Sequence, residues 1–276
     1  MFRNTVQVFK NSQTYRYNIE ATKRNLGKLR LTVMSEHIDE LCNDPVYATW
    51  DWTEKLGFLV NKELEIRSVR RQERLIKESG LRETANFANA TLENVIYNPK
   101  RNLDRELLER LVTCDWVRAE PAGTLLVTGA TGTGKSYILN LLGRAACEQG
   151  LSVSYFRFPV LAEKMLDAYD HRTSGSLRKK LNSKKLLIID DFGLGTKMSA
   201  ELANDFLSLI DERMGFSATI IAGQIPPEEW YDFIGDNASA DALIDRLFNR
   251  SYRIALEGPS LREGQQPPII KPRQKR

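Results

Sequence analysis

Gly129-Ala130-Thr131-Gly132-Thr133-Gly134-Lys135-Ser136 is the segment from which the fold class of this 276-residue chain follows. It lies between an apolar stretch, 124–128, and a stretch with helical apolar spacing, 135–149. A glycine-rich turn at this place lets backbone N–H groups surround a phosphate at the positive end of a helix. The fixed positions of such a phosphate-binding loop, the P-loop, are all present: Gly129, Gly134, Lys135 and Ser136. We therefore predict that this loop binds ATP.

The residues of the P-loop have distinct predicted roles. The Lys135 ammonium is expected to reach the β and γ oxygens of ATP, and the Ser136 hydroxyl is expected to bind Mg²⁺. Tyr137, the next residue, is included among the nucleotide contacts. The complete predicted set is Gly129, Ala130, Thr131, Gly132, Thr133, Gly134, Lys135, Ser136 and Tyr137.

A second apolar segment ends in two acids, which a P-loop protein needs for its metal ion. The run 186–189 is typical of a strand buried on both faces, and Asp190 and Asp191 follow it directly. Burying two adjacent carboxylates costs much free energy, which favours a functional role. We predict that Asp190 binds Mg²⁺ and that Asp191 polarises the attacking water. For Asp191, a helix N-cap is the alternative.

Gln224 follows the next predicted strand, 217–222. A polar side chain at this point is placed to contact the γ-phosphate or the attacking water. A structural role in the turn that ends the strand is an equal alternative.

The second half of the chain alternates short apolar runs with amphipathic stretches, which predicts βαβ units and a parallel sheet. The predicted strands are 124–128, 151–156, 185–190, 217–222 and 251–256. Helices are predicted between them, for example at 135–149, 160–169 and 199–213. The fold class is therefore α/β with a five-stranded parallel sheet.

The first hundred residues have helical spacing only. One helix is predicted over 23–41, where the apolar positions recur at helical intervals until Asp44-Pro45. A second begins at Asp51, which forms a capping box with Glu54, and continues to about residue 79. A third lies at 103–112. We predict a small all-helical domain before the sheet.

The net charge of +4 is unevenly distributed. Residues 1–35 carry seven Lys and Arg against one acid, Glu20, and residues 264–276 carry four basic residues without an acid. Basic ends indicate contact with a polyanion such as DNA, although solubilising tails are an alternative. Three scattered cysteines, no secretion signal and no apolar run of membrane-spanning length indicate a cytoplasmic protein with reduced thiols.

Two basic clusters are candidate DNA contacts. One shares a face of the second helix and consists of Arg67, Arg70, Arg71, Arg74 and Lys77. Acidic residues on the same helix leave a solvated or partner-binding face as an alternative. The other cluster, Lys179 and Lys180 with nearby Lys184 and Lys185, precedes the acidic strand. No spacing typical of sequence-specific readout is present, so backbone contacts to double-stranded DNA are expected.

Longer segments resemble the IstB-like ATPases, which are AAA+ helper proteins of insertion-sequence transposition related to DnaC-type helicase loaders. The resemblance covers about residues 23–263. Besides the P-loop, it rests on LLIIDDFGL (186–194), TIIAGQIP (219–226), WYDFIGD (230–236), DALIDRL (241–247) and GPSLR (258–262). Upstream it includes LGKLRLTVM (26–34), TLENV (91–95) and LVTCDWV (111–117).

The resemblance implies an ATP site shared between subunits. Arg246 corresponds to an arginine finger donated to a neighbouring subunit, with Arg250 and Arg253 as nearby rivals and a surface salt bridge as the alternative. Arg262 corresponds to the sensor-2 arginine, which contacts nucleotide within its own subunit. The family usually has a polar Ser or Thr pair where this chain has Ala222-Gly223.

The implied activity is ATP hydrolysis, with Mg²⁺ as cofactor and stimulation by assembly on DNA. The implied role is regulation of transposition by a homo-oligomer that recruits or activates a transposase. A replicative helicase loader is the alternative, whereas a metabolic kinase has no use for Arg246 or the GPSLR segment. The predicted division of the chain is an extension (1–22), a helical partner- or DNA-binding domain (23–100), an AAA+ ATPase domain (101–263) and a basic tail (264–276).

Overall fold

The computed structural model describes residues 18–84, 87–195, 197–235, 238–248 and 251–261. Two compact units are present, one ending at Arg71 and the other beginning at Gln72. The helices are α1 (Ile19–Lys28), α2 (Thr32–Asn43), α3 (Trp52–Ser79), α4 (Arg105–Val112), α5 (Asp115–Arg118), α6 (Lys135–Glu148), α7 (Phe158–Asp170), α8 (Ser174–Asn182), α9 (Ala200–Arg213), α10 (Trp230–Ile234) and α11 (Ala238–Phe248). The strands are β1 (Thr124–Gly129), β2 (Val153–Arg157), β3 (Leu186–Phe192), β4 (Ala218–Gly223) and β5 (Ser251–Leu256).

The region 23–41 contains two helices, α1 and α2, so the prediction of one continuous helix is wrong. α1 ends in a Schellman motif, in which the Leu31 amide donates to the Leu26 carbonyl (2.9 Å) and the Arg30 amide donates to the Gly27 carbonyl (3.0 Å). Arg30 has a left-handed φ of 59°, the conformation that terminates a helix in this motif. Apolar spacing continues through such a break and therefore does not reveal it.

α3 begins as its capping box predicts. The Asp51 amide donates to a Glu54 carboxylate oxygen, and the Glu54 amide donates to an Asp51 carboxylate oxygen, both at 2.8 Å. These bonds satisfy two amide groups that have no partner inside the helix. The apolar core of the first unit consists of Met34, Leu41 and Leu59, with partly buried Leu26, Leu31, Ile38, Tyr47, Trp50 and Phe58 packed against them.

The sheet has the strand order β2-β3-β4-β1-β5, and every neighbouring pair is parallel. Each predicted strand agrees with an observed one to within two residues at either end. The α/β fold with a five-stranded parallel sheet and preceding helices is thus confirmed. The functional division at residue 100 stays a prediction, and residues from Leu75 onward pack in the same core as the sheet.

Alternate residues of each central strand enter different cores, as the two-residue repeat of a strand requires. On β3, Leu186 and Ile188 pack with α6, whereas Leu187 and Ile189 pack with α7, α9 and α11. A strand covered on both faces must be apolar throughout, which explains the LLII run. The sheet therefore lies between two helical layers.

The three cysteines are free thiols in different surroundings. Cys42 is exposed, whereas Cys114 and Cys147 are buried. Burial raises the pKa of Cys114 to about 11 and that of Cys147 to about 12. Among the helices of the described ranges, none is both long and apolar enough to cross a membrane.

Candidate nucleotide-binding site

The predicted nucleotide and metal residues lie where the parallel strands end. β1 ends at Gly129 of the P-loop, β3 contains Asp190 near its end, and β4 ends one residue before Gln224. β4 pairs with both β1 and β3, so these three ends are adjacent. Ligands of open parallel sheets bind at this carboxyl edge. The topology therefore brings together residues that are distant in the chain. The largest separation, 95 positions, is between Gly129 and Gln224.

Two glycines give the P-loop its shape. Gly132 and Gly134 have φ values of 85° and 96°, in the left-handed region that glycine adopts without steric cost. A Cβ at Gly132 would overlap the Ser260 side chain, and one at Gly134 would overlap the Arg101 guanidinium. α6 begins directly after the loop, and its first amide groups have no acceptor within the helix. This is the arrangement that binds a phosphate.

Lys135 is buried and folds back over the P-loop. Its Nζ donates to the carbonyl oxygens of Gly129 (2.7 Å) and Ala130 (3.0 Å). Hydrogen bonds from an ammonium to a charged phosphate oxygen are stronger than those to a neutral carbonyl. The side chain is thus already at the loop that it is predicted to serve.

Ser136 and Asp190 are in direct contact. The Ser136 hydroxyl donates to a carboxylate oxygen of Asp190 at 2.8 Å, and the same oxygen accepts from the Tyr155 hydroxyl at 3.0 Å. The other Asp190 oxygen accepts from the Asp191 amide at 2.8 Å. Hard cations such as Mg²⁺ take oxygen ligands, and a hydroxyl beside a carboxylate supplies two. The residues present therefore fit the metal ion that the sequence predicts.

Burial determines the protonation behaviour of this pair. Asp190 is only 2% exposed, and loss of solvation raises the pKa of its carboxyl group. The charge of Asp191 acts in the same direction, whereas the donated hydrogen bonds oppose the increase. Burial and the Asp190 carboxylate raise the pKa of Tyr155. The Tyr155 hydroxyl therefore keeps its proton and acts as a donor.

Asp191 lies at a strained point near the end of β3. It has a left-handed φ of 57°, and its carboxylate accepts from Arg157 Nε at 2.7 Å. The register of β2 against β3, which pairs Arg157 with Asp190, brings the guanidinium to this place. The N-cap alternative for Asp191 is wrong, because the next helix, α9, begins at Ala200 with Ser199 as its N-cap.

Two further segments contact the P-loop. Thr131 donates a hydrogen bond from its hydroxyl to the Gln224 side-chain oxygen at 2.9 Å. The Leu261 amide donates to the Gly132 carbonyl at 2.9 Å. Gln224 is thus both a residue of the turn after β4 and a neighbour of the phosphate-binding loop.

Tyr137 connects the start of α6 to the segment that precedes the sheet. Its hydroxyl lies 2.7 Å from the Asn89 carbonyl and 2.9 Å from the Thr91 carbonyl, and it accepts from the Thr91 amide at 3.2 Å. The hydroxyl is therefore occupied within the chain. A nucleotide contact of Tyr137 would therefore come from its ring or from its backbone amide, which lies in the first turn of α6.

The Arg246 side chain is held by contacts within its own chain. On α11, it forms an ion pair with Asp211 of α9 and donates to the Ala242 carbonyl at 3.0 Å. Its side chain is 35% exposed. Arg253 is exposed and lies over the Phe248 ring, 5.0 Å from the centroid. Arg250 and Arg262 lie outside the described residues.

The candidate DNA-binding residues are exposed except for Lys184, which is half-buried, and they differ in their partners. Arg67 pairs with buried Glu63 at 2.6 Å and donates to the Arg30 carbonyl, so part of its role is structural. Arg74 lies 4.0 Å from Glu78, a weak i,i+4 pair. The structure also exposes the candidates Arg70, Arg71, Lys77, Lys179 and Lys180.

Sequence reasoning missed three residues of this site: Tyr155, Arg157 and Arg101. Tyr155 and Arg157 come from β2, whose end lies at the same sheet edge as Asp190. Their polar side chains at the end of a predicted strand were an available signal. Arg101 comes from a 3-10 turn, Pro99–Arg101, and donates from Nε to the Thr133 carbonyl at 3.1 Å. No motif distinguished it.

Comparisons with known proteins agree on one family. The family model described as "IstB-like ATP binding protein" matches residues 24–267. The chain is 33% identical over 244 residues to an insertion sequence ATP-binding protein of Sinorhizobium fredii, covering 88% of this chain and 96% of that one. It is 35% identical over 205 residues to an insertion sequence ATP-binding protein of Pseudomonas fluorescens, covering 74% and 86%.

Solved structures share the fold of about two thirds of the chain. DnaI covers 64% of this chain and 93% of its own length, with a TM-score of 0.51 and 18% identity. AMPPCP-bound DnaA from Aquifex aeolicus covers 65% of this chain and 54% of its own length, with a TM-score of 0.53 and 21% identity. At this level of identity the similarity concerns the AAA+ fold alone.

Proposed function

Because the chain belongs to the family of IstB-like ATP-binding proteins, we propose that it is an ATP-dependent regulator of DNA transposition. ATP binding and an association with insertion sequences are properties of the family as a whole. The finer parts of the proposal are assembly on double-stranded DNA, recruitment or activation of a transposase, and ATP hydrolysis that ends the assembly.

The contact between Ser136 and Asp190 at the P-loop carries the proposal. A buried carboxylate is costly unless it has a partner, and here one of its partners is the hydroxyl of the P-loop serine. Together they would hold Mg²⁺, which when bound neutralises charge on the phosphate oxygens. Lys135 would exchange its carbonyl acceptors for the β and γ oxygens of ATP.

Asp191 is the proposed base that orients the attacking water, with Gln224 beside the γ-phosphate. The hydrogen bond between Arg157 and Asp191 bears on this role, because it occupies the carboxylate. We propose that hydrolysis requires Asp191 to leave Arg157. Arg157 is 62% exposed, so this ion pair is easily exchanged for solvent.

The proposed oligomer carries ATP between subunits. Arg246 would leave Asp211 and stabilise charge on the phosphates bound by a neighbouring subunit, and Arg262 would act within its own subunit. The exposed Arg70, Lys179 and Lys180 would contact DNA phosphates, which predicts binding that weakens steeply with salt. The helices before the sheet would contact the transposase.

Sizing by light scattering with and without ATP and duplex DNA tests the assembly. The wild-type chain is expected to assemble only when both are present. Asp191→Asn should bind ATP with unchanged affinity and remain assembled, whereas Lys135→Ala should bind ATP poorly and stay dispersed. A wild-type chain that stays monomeric with ATP and DNA would contradict the proposal.

A loader of a replicative helicase is the second candidate, favoured by the shared fold with DnaI and DnaC. Capture experiments with the immobilised chain, ATP and either a partner transposase or a replicative helicase distinguish the two. We expect capture of the transposase. Capture of the helicase alone would replace the proposed function.

A further inference from the structure

Arg101 is a buried cation at the back of the P-loop. It ends the 3-10 turn Pro99–Arg101, which is capped by the Asn98 side chain, and the residue is 4% exposed. The Glu257 amide donates to the Arg101 carbonyl at 3.0 Å. The backbone of this residue is thus tied to the segment after β5, on the same side as the P-loop.

Among the residues that the structure describes, the guanidinium donates to neutral groups only, and one of its nitrogens has no acceptor. Its Nε donates to the Thr133 carbonyl at 3.1 Å and its Nη1 to the Ile96 carbonyl at 2.6 Å. Nη2 is buried against Gly134 and has no hydrogen-bond partner among the residues that the structure describes. The ionisable groups that act on it are the hydroxyls of Tyr97 and Tyr137, not carboxylates.

A second buried arginine shows what a purely structural role looks like in this chain. Arg213 is 1% exposed and donates to Thr219 Oγ1 and to the carbonyls of Leu181, Lys184 and Ala218, so all three of its nitrogens have acceptors. Arg101 differs from it in two respects. Its Nη2 has no acceptor within the described part of the chain, and it lies against the phosphate-binding loop.

A buried donor without an acceptor costs free energy, and in Arg101 this donor lies against the loop that is proposed to bind an anion. The burial of Arg101 lowers the pKa of its side chain, but a guanidinium stays protonated in proteins. The P-loop is the binding site of an anion of several charges. A nucleotide polyphosphate bound there would lie close to the guanidinium, which contacts the P-loop at Thr133 and Gly134. Charges interact more strongly in such a buried site than in water.

We propose that Arg101 is a positioning residue of the nucleotide site, which fixes the P-loop through Thr133 and whose buried charge is compensated by the nucleotide polyphosphate. The inference rests on the proposed nucleotide site. The proposed role makes ATP binding depend on a cation outside the P-loop motif, and it accounts for a guanidinium nitrogen that has no acceptor among the described residues.

The test measures dissociation constants for ATP and for inorganic tripolyphosphate, by competition with a fluorescent ATP analogue. Arg101→Gln removes the charge, Arg101→Lys keeps it, and Arg105→Gln is the matched control. Arg105 is exposed, pairs with Glu109 at 2.7 Å and lies over the Tyr97 ring. We expect Arg101→Gln to weaken both ligands about tenfold, equivalent to about 1.4 kcal/mol. Arg101→Lys should stay within about threefold of wild type, and Arg105→Gln should bind as wild type does.

Thermal unfolding separates positioning from plain stability. We expect the ATP-induced increase in Tm to shrink in Arg101→Gln. A lower Tm of the ligand-free variant with an unchanged ATP-induced increase would overturn the inference. So would a loss of ATP binding without loss of tripolyphosphate binding.

If Arg101→Gln does not fold, Arg101→Lys decides. It keeps the charge and loses the planar fork, so a loss of affinity beyond about threefold would overturn the role of the charge. A wild-type chain that binds neither ligand would instead refute the proposed function.

Discussion

Asp190 combines almost complete burial with three hydrogen-bond donors: the hydroxyls of Ser136 and Tyr155 and the amide of Asp191. These donors hold the carboxylate at the P-loop, but they do not restore all the solvation that burial removes, because the pKa of Asp190 stays raised. The ionised Asp190 carboxylate therefore lowers the free energy of unfolding when no metal ion is bound. Its negative charge is the property that a metal site needs.

We predict that Asp190→Asn stabilises the ligand-free chain at neutral pH. The folded-state pKa of Asp190 lies above the ordinary value of 3.8, so the native state binds this proton more tightly than the unfolded state does. Its contribution to the free energy of unfolding is then lost as pH rises through the window between the two values. Denaturant unfolding of both chains at several pH values, without nucleotide and metal, measures the difference.

The difference between Asp190→Asn and wild type should grow as pH rises through that window. Asp232→Asn, at an exposed position, is the control and should not change the pH profile. Parallel profiles for wild type and Asp190→Asn would contradict the prediction.

At the residue scale, the sequence predicted Lys135, Ser136 and Asp190 because each belongs to a local pattern. Arg157 and Tyr155 could not be assigned in this way. Their position relative to Asp190 depends on the register of β2 against β3, which is a long-range property. Arg101 is less accessible still, because a 3-10 turn leaves no periodic signal.

At the scale of elements, the strands were predictable because strands covered on both faces must be continuously apolar. The break between α1 and α2 was not, since it depends on one left-handed residue that is not glycine. Glycine is the usual residue at this position of a Schellman motif. The Arg30 carbonyl, which accepts from Arg67, is a backbone group and does not require the arginine side chain.

We predict that Arg30→Gly stabilises the α1–α2 pair by about 0.5–1 kcal/mol, because glycine adopts the left-handed conformation without steric cost. Hydrogen exchange of the α1 and α2 amides measures local stability and should become slower. The control is Arg24→Gly, at an exposed position inside α1. This substitution should lower the stability of the α1–α2 pair by about 1 kcal/mol. Faster exchange in Arg30→Gly would show that the arginine side chain matters more than the strain.

At the scale of the whole molecule, the central question is whether one chain contains a complete ATP site. Within the described residues, Lys135, Ser136 and Asp190 come together in one subunit, whereas Arg246 pairs with Asp211 on α9. An arginine that completes the site of a neighbour has to give up this ion pair. ATP hydrolysis would then depend on assembly.

We predict that two inactive variants restore activity when mixed. Asp191→Asn lacks the proposed base, and Arg246→Ala lacks the proposed finger, so neither is expected to hydrolyse ATP alone. In an equal mixture, about a quarter of the head-to-tail interfaces would combine an intact base with an intact finger. ATPase assays at fixed total protein concentration, with DNA, measure the recovery.

Asp211→Asn is a useful third variant in the same assay, because it releases Arg246 without removing it and should leave hydrolysis intact. Continued inactivity of the mixture would show that each subunit works alone or that Arg246 has only a structural role.

The unequal surroundings of the three thiols have a practical consequence. Cys114 and Cys147 are buried, with pKa values of about 11 and about 12, so almost none of either is thiolate at neutral pH. A maleimide dye added to the native chain should therefore attach at exposed Cys42 without any prior mutation. Donor- and acceptor-labelled copies of the natural sequence would report the meeting of two subunits in real time by fluorescence energy transfer.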